Sequence, residues 1–288
     1  MVPARVKKIC LTVFVSAMSL GVGIPTPVKA QLKLQDLVQV EQNQFTSHSF
    51  VVMDQVTGEV LLEKKPMDKW VPASLTKLLT GLVVLDQRPD MNKVCTFKKQ
   101  DEVGGTRLNV KAGSKYKLGD LMHASLISSA NNATDALADC VMDRASFVLA
   151  MNEKAKQLGA TNSVFFEPSG MSPKNSITAL DYSKIARAAF STYEIQNITQ
   201  KKNYSFSSVS KPRKSHSLTS TNLILRQNSV EVVGGKTGYL DESLYNFTIS
   251  AKFKDRYVLA VVLGNPSKSS SFKESKAVLD IVRMKFGI

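Results

Sequence analysis

Histidine and cysteine are scarce in this 288-residue chain, with three of each. His48, His123 and His216 are scattered and no pair has metal-ligand spacing, so structural roles are the better reading and neither a metal nor a cofactor is expected. Acidic residues are short as well. The 24 Asp and Glu stand against 38 Lys and Arg, a formal charge of +14. After residue 30 no apolar run approaches the roughly 20 residues that a spanning helix needs. No internal repeat or low-complexity tract is present, which sets aside solenoids and fibres. What remains is globular in composition, with 43% hydrophobic and 22% charged residues, long enough for a sizeable core in one catalytic domain.

The first thirty residues differ from the rest. Arg5, Lys7 and Lys8 precede an apolar run from Ile9 to Ile24, followed by Pro25, Pro27 and the small-residue site Val28-Lys29-Ala30. This pattern is a secretory signal with cleavage expected before Gln31, and the run is too short to favour an uncleaved anchor. Cleavage removes four cations and no acid, lowering the formal charge from +14 to +10. For an exported protein that basic balance points toward anionic wall polymers or lipid headgroups rather than nucleic acid, against the plainer alternative of a soluble basic surface. Cys10 leaves with the signal. Cys95 and Cys140 enter a compartment where a disulfide is permitted, and both a bridge and two separate buried thiols stay open.

Residues 31–44 form a Gln-rich leader, and the catalytic domain is placed at 45–288. Phe50–Met53, the Thr57-Gly58 turn and Val60–Leu62 read as a hairpin. From Ser74 the apolar positions Leu75, Leu78, Leu79, Leu82 and Val83 follow helical spacing behind Pro72, which puts Ser74 at a helix N-terminus. Loops and short strands are expected over 98–119. Two helices follow within 118–142, broken near Ser128–Asn132, and another runs from Phe147 to Leu158 with Gly159 as its C-cap. The basic, serine-rich stretch 201–222 reads as a solvated loop or hairpin, with binding of an anionic polymer the lesser alternative. Val230–Val233, Tyr245–Phe253 and Tyr257–Leu263 read as an antiparallel meander, closed by a helix from Ser271 to Phe286. The fold class is therefore α+β, helices packed against an antiparallel sheet.

Three short motifs stand in order: Ser74-Leu75-Thr76-Lys77, Ser129-Ala130-Asn131 and Lys236-Thr237-Gly238. Each alone is weak, because a serine three residues before a lysine is common on helix surfaces. Together they open a helix, interrupt helices and follow a strand, where nucleophilic chemistry needs them. Residues three apart on a helix share a face, so the Lys77 amine reaches the Ser74 hydroxyl. Lysine acts as a base when burial or a second cation lowers its pKa, and Lys236 is the candidate second cation. The Ser74 backbone N–H is placed to donate to a developing oxyanion. Ser129 can relay a proton to a departing amine, Asn131 can hold the lysine and a substrate amide, and Lys236 with Thr237 can hold a carboxylate. Gly234, Gly235 and Gly238 leave a strand edge bare, which suits a peptide added as a strand, plain bulges being the alternative.

With these motifs the sequence resembles the serine-type D-alanyl-D-alanine carboxypeptidases, the low-molecular-mass penicillin-binding proteins. Pro72–Thr80 resembles the family's nucleophile segment. Phe166–Met171, Thr221-Asn222-Leu223 and Gly235–Tyr239 with Tyr245-Asn246 are similar to its later blocks. The resemblance implies a penicilloyl-serine-transferase fold, an acyl-enzyme on Ser74, a second oxyanion donor from the Tyr239 backbone, and catalytic roles for Ser74, Lys77 and Ser129. Asn131, Lys236, Thr237 and Gly238 are implied to bind substrate. It also implies peptidoglycan stem peptides as partners and β-lactams as covalent inhibitors, in the periplasm or outside the cell. The chain closes after its terminal helix, so the resemblance does not extend to the family's membrane anchor.

The leading expectation is removal of terminal D-alanine. The same residues acting on a cross-linked peptide would make an endopeptidase, a branch also similar to this chain around Met151–Lys156. A wall-binding protein with a dead site is the rival of another class, against which all six motif side chains count. A β-lactamase is a poorer choice, because Glu167 lacks the neighbours of a deacylating glutamate and Ala130 stands where aspartate would be.

Overall fold

The computed structural model describes residues 45–287; the expected export signal at 1–30, the expected leader at 31–44 and Ile288 lie outside the described residues. Near the start of that range the apolar pair of runs forms β1 (Ser49–Asp54) and β2 (Val60–Lys64), antiparallel across a turn with Gly58 at φ 81°. The other three strands of the sheet come from the far end of the sequence. β9 (Glu231–Leu240), β10 (Leu244–Phe253) and β11 (Arg256–Asn265) form the expected meander, and β11 pairs with β1. The order is β2-β1-β11-β10-β9, which leaves β9 at an edge.

β9 is longer than spacing implied, running through the glycine-rich segment to Leu240. Thr237 pairs with Phe247 and Tyr239 with Tyr245, so the ladder to β10 outweighs the poor strand preference of glycine. Three small pairs complete the strands: β3 (Lys69–Trp70) with β6 (Ile177–Thr178), β4 (Val94–Thr96) with β5 (Lys115–Lys117), and β7 (Asn203–Ser207) with β8 (Ser215–Thr219). The last pair settles the reading of 201–222 as a hairpin.

The described helices are α1 (Thr76–Asp86), α2 (Leu118–Ile127), α3 (Asn131–Val141), α4 (Arg144–Gln157), α5 (Ala179–Ser191), α6 (Tyr193–Thr199), α7 (Leu223–Gln227) and α8 (Lys268–Phe286). The sheet buries both faces. Val51 and Met53 of β1, with Leu259, Val261 and Leu263 of β11, join the main core formed by α1 to α6. Their neighbours Phe50, Val52, Ala260 and Val262 are equally inaccessible and alternate to the other face. There α8 packs on β10 and β11, with Phe272 edge-on to Phe247 at 4.8 Å between ring centres.

Cys95 on β4 and Cys140 at the end of α3 are bonded, with Cα atoms 5.6 Å apart across 45 residues of sequence. The bridge ties the β4–β5 pair to the helix that begins at Asn131. Each histidine has a structural partner: His48 stacks on Trp70, His123 Nδ1 lies 2.7 Å from the Gly119 carbonyl oxygen, and His216 Nε2 lies 2.8 Å from the Tyr116 hydroxyl. Among the described residues no helix is long and apolar enough to cross a membrane.

Candidate active site

Ser74 lies in a 3₁₀ turn, Ala73–Leu75, that leads into α1, whose α-helical part begins at Thr76, two residues after the expected start at Ser74. Several groups hold that turn. The Asn246 amide donates to the Val71 and Pro72 carbonyls at 2.9 and 3.2 Å, and the Tyr182 hydroxyl donates to the Leu75 carbonyl at 2.7 Å. Thr76 Oγ1 donates to the Ala73 carbonyl at 2.8 Å. Ala73 itself sits at φ 49°, a conformation that costs a residue with a Cβ on the order of 1–3 kcal/mol. Surrounding contacts over-determine it, which is how strained backbone persists beside a reactive group.

Three residues on, the fully buried Lys77 turns its amine back toward Ser74. Nζ lies 2.8 Å from Ser74 Oγ and 2.8 Å from Asn131 Oδ1, and it donates a short hydrogen bond to the Ser169 carbonyl. Two of these partners are carbonyl oxygens, which only accept. A neutral amine has two N–H groups and one lone pair, so with its hydrogens on Asn131 and Ser169 the lone pair faces the Ser74 hydroxyl. Burial favours that neutral form, lowering the Lys77 pKa from 10.5 to about 7, against the opposing pull of the Glu167 and Asp135 carboxylates.

The Asn131 side chain is oriented by its own amide, which donates to the Gly104 carbonyl at 2.8 Å and contacts Met171 Sδ at 2.9 Å. The Ser169 carbonyl is presented by a loop wound around Glu167. The Glu167 carboxylate accepts from Ser169 N at 2.8 Å, Gly170 N at 2.8 Å, Ser172 N at 3.1 Å and Asn175 Nδ2 at 3.0 Å. Glu167 is thus the organiser of this loop.

Ser129 and Lys236 meet from opposite walls. Ser129 stands at φ 64° between α2 and α3, and buried Lys236 donates to its hydroxyl at 2.8 Å and to the Thr237 carbonyl at 2.8 Å. Burial, and secondarily the charge of Lys77, holds the Lys236 amine well below the ordinary lysine value. Of the two causes expected for a lowered Lys77, burial and a second cation at Lys236, burial is the one at work, and the charges acting on Lys77 are the opposing ones of Glu167 and Asp135. Thr237 Oγ1 donates to Thr221 Oγ1 at 2.7 Å. The three motifs meet at one cleft of about 500 Å³ whose lining includes Ser74, Ser129, Asn131, Thr237, Gly238 and Tyr239, with Lys77 and Lys236 buried behind Ser74 and Ser129.

The glycines of β9 also make room within the fold. A Cβ on Gly234 would lie 2.4 Å from the Phe190 ring, one on Gly235 2.4 Å from the Asn222 amide, and one on Gly238 2.7 Å from the Pro72 carbonyl. Their bareness admits the protein's own helices and the Ser74 turn. Gly238 itself lies against the nucleophile segment, where an added Cβ would also meet Leu75 N at 3.2 Å. Spacing gave no sign of the Ser169 carbonyl, of the Tyr182 anchor, or of buried Asp135, whose carboxyl burial pushes up to about 7 despite Arg144 at 2.7 Å.

Several known proteins are similar to this chain in sequence and in fold. The family model for D-alanyl-D-alanine carboxypeptidase matches residues 36–267. A D-alanyl-D-alanine endopeptidase of Pseudomonas aeruginosa is 30% identical over 272 residues, 92% of this chain and 84% of that protein. The D-alanyl-D-alanine carboxypeptidase DacC of Escherichia coli is 32% identical over 254 residues, 83% of this chain but 62% of that protein. Among solved structures, a D-alanyl-D-alanine carboxypeptidase from Mycobacterium tuberculosis superposes with a TM-score of 0.77 at 26% identity, covering 85% of this chain and 92% of that one. The Streptomyces K15 DD-transpeptidase, at 23% identity, shares the fold with a TM-score of 0.79 over 85% of this chain and 98% of its own.

Proposed function

This chain belongs to the D-alanyl-D-alanine carboxypeptidase family, and on that premise we propose that it removes the terminal D-alanine of peptidoglycan stem peptides through an acyl-enzyme on Ser74. The observation that carries the reading is the Lys77 amine, whose two carbonyl partners leave its third direction to the Ser74 hydroxyl.

Ser74 Oγ attacks the carbonyl carbon of the penultimate D-alanine, and its proton passes to Lys77 Nζ. The backbone N–H groups of Ser74 and Tyr239 receive the developing oxyanion, a contribution of roughly 3–4 kcal/mol per donor in comparable sites. As the tetrahedral centre collapses, the C–N bond breaks and the amine of the terminal D-alanine leaves with a proton relayed through Ser129, which Lys236 holds. Water then attacks the ester, one proton returns to Ser74, and the shortened peptide departs. Lys236 and Thr237 hold the substrate carboxylate, and Asn131 keeps Lys77 in place. β-Lactams enter the same acylation step and remain as the ester.

Export is part of this reading. The Cys95–Cys140 bond supports it, because such bonds persist in oxidising compartments outside the cytosol. Relatives named for both reactions stand at similar identity, so cleavage of cross-links is the second reading, with the same nucleophile. Incubation with a D-alanyl-D-alanine pentapeptide and with a cross-linked dimer separates them. The expected result is free D-alanine from the pentapeptide, absent with Ser74→Ala. Cleavage of the dimer alone would move the assignment to the endopeptidase, and release of D-alanine by Ser74→Ala would refute the nucleophile.

A further inference from the structure

A strongly basic concavity lies outside the cleft. Residues 195–230 hold six Lys and Arg and no acid, and residues 103–119 hold four and no acid. The fold brings these two tracts together. The tip of the β7–β8 hairpin lies along the loop that enters β5, with Val209 N donating to the Lys115 carbonyl at 2.7 Å. The apolar side of the hairpin is fastened beneath, where Tyr116 meets Phe206 edge-on at 5.7 Å and its hydroxyl lies 2.8 Å from His216 Nε2. Between the two walls runs a groove of about 740 Å³.

Lys111, Lys211, Arg213 and Lys214 line this groove, all exposed, and no acidic residue is among its lining. None of the four is in an ion pair within the described residues. The neighbouring Glu102 carboxylate is engaged by the backbone, accepting from Ala112 N at 3.3 Å. Four like charges facing one concavity repel one another, and a chain of closely spaced anions relieves that repulsion. Arg213 offers the planar fork that grips a phosphate through two hydrogen bonds, and the lysines add point charges along the path. A concave site suits a thread-like ligand, since a flat membrane would reach only its rim.

We infer that this groove binds the phosphodiester backbone of an anionic cell-wall polymer. It adjoins the cleft through one loop: Gly105 and Thr106 line the cleft, Asn132 clamps Leu108 with hydrogen bonds of 2.9 Å to its N–H and carbonyl, and Val110 and Lys111 begin the groove. A polymer held there keeps the cleft beside the wall. Naming the wall as the source rests on the peptidase reading, whereas polyanion binding does not.

The test measures binding of a fluorescent poly(glycerol phosphate) chain by anisotropy, for wild type and for the combined Lys111→Glu, Lys211→Glu, Arg213→Glu and Lys214→Glu variant. Wild type is expected to bind, weakening steeply with added salt, and the variant to lose at least about tenfold in affinity. Release of D-alanine from a soluble pentapeptide reports separately on the cleft and is expected to be unchanged. The matching glutamine variant, which removes charge without reversing it, is expected to fall between and stands in if the glutamate variant does not fold. Equal binding by wild type and either folded variant would overturn the inference. So would binding of phosphatidylglycerol vesicles through these residues without binding of the polymer.

Discussion

Lys77→Met is expected to lower kcat/KM for D-alanine release, and the rate of penicillin acylation, by roughly 10²–10⁴-fold, the range for loss of a positioned general base. Methionine matches the length of the stem and fills the same buried space, so the loss is chemical rather than structural. Wild type is expected to show acylation rising with pH through about 7, as Lys77 gives up its proton and becomes a base. In the variant that limb disappears. Stability carries a second signature. Native Lys77 titrates near 7 and the unfolded lysine near 10.5, so between those values the unfolded chain binds more protons and wild-type stability climbs as pH rises. Lys77→Met loses that climb and is expected to be at least as stable as wild type near pH 7. Urea titrations at several pH values, beside stopped-flow acylation, check both. An unchanged acylation rate in Lys77→Met would remove the lysine from the proposed chemistry.

Gly170→Ala is expected to lower stability by roughly 2–5 kcal/mol and slow acylation on the order of 10²-fold. Gly170 has φ 82°, and a Cβ there would lie 2.0 Å from the Ala73 carbonyl oxygen and 2.9 Å from Ser74 N. These are backbone atoms of the nucleophile's own turn, so they cannot swing aside. Relief requires either moving Ser74 off the Lys77 amine or drawing the Glu167 loop, and with it the Ser169 carbonyl, away from Nζ. Gly104→Ala is the control. Gly104 also borders the site, yet nothing lies within 4 Å of its added Cβ, and near wild-type behaviour is expected. Thermal melts and acylation rates of the two variants decide it, and a Gly170→Ala protein indistinguishable from the control would contradict the close packing described here.

Much of this was legible before any coordinates, and the legible part is local. Ser74 and Lys77 lie three apart on a helix, and that spacing alone predicts their contact. Hairpin, meander and the breaks at Ser129 and Gly159 follow from period and turn chemistry. Features that depend on distant chain segments were not legible. The Ser169 carbonyl is backbone and carries no side-chain signal, and Lys77 finds it 92 residues away. Nor does the sequence show that Phe190, Asn222 and Pro72 pack against the glycines of β9. Asp135 and Asp139 meet Arg144 through a packing of α3 on α4 that periodicity does not specify. Helix α5 carries a readable signal that went unassigned: Thr178 caps it by accepting from Asp181 N at 3.0 Å, and Tyr182, Ile185, Ala186 and Ala189 keep helical spacing. Cys95 and Cys140 show the same limit, since redox context permits a bond that only the fold brings within reach.

The acyl-enzyme on Ser74 is the central claim, and intact-mass analysis with peptide mapping after incubation with a penicillin tests it most directly. The account predicts one penicilloyl adduct per chain, carried by the peptide containing Ser74 and absent from Ser74→Ala. An adduct that persists in Ser74→Ala, or a wild-type protein that forms none under conditions where it is folded, would contradict it.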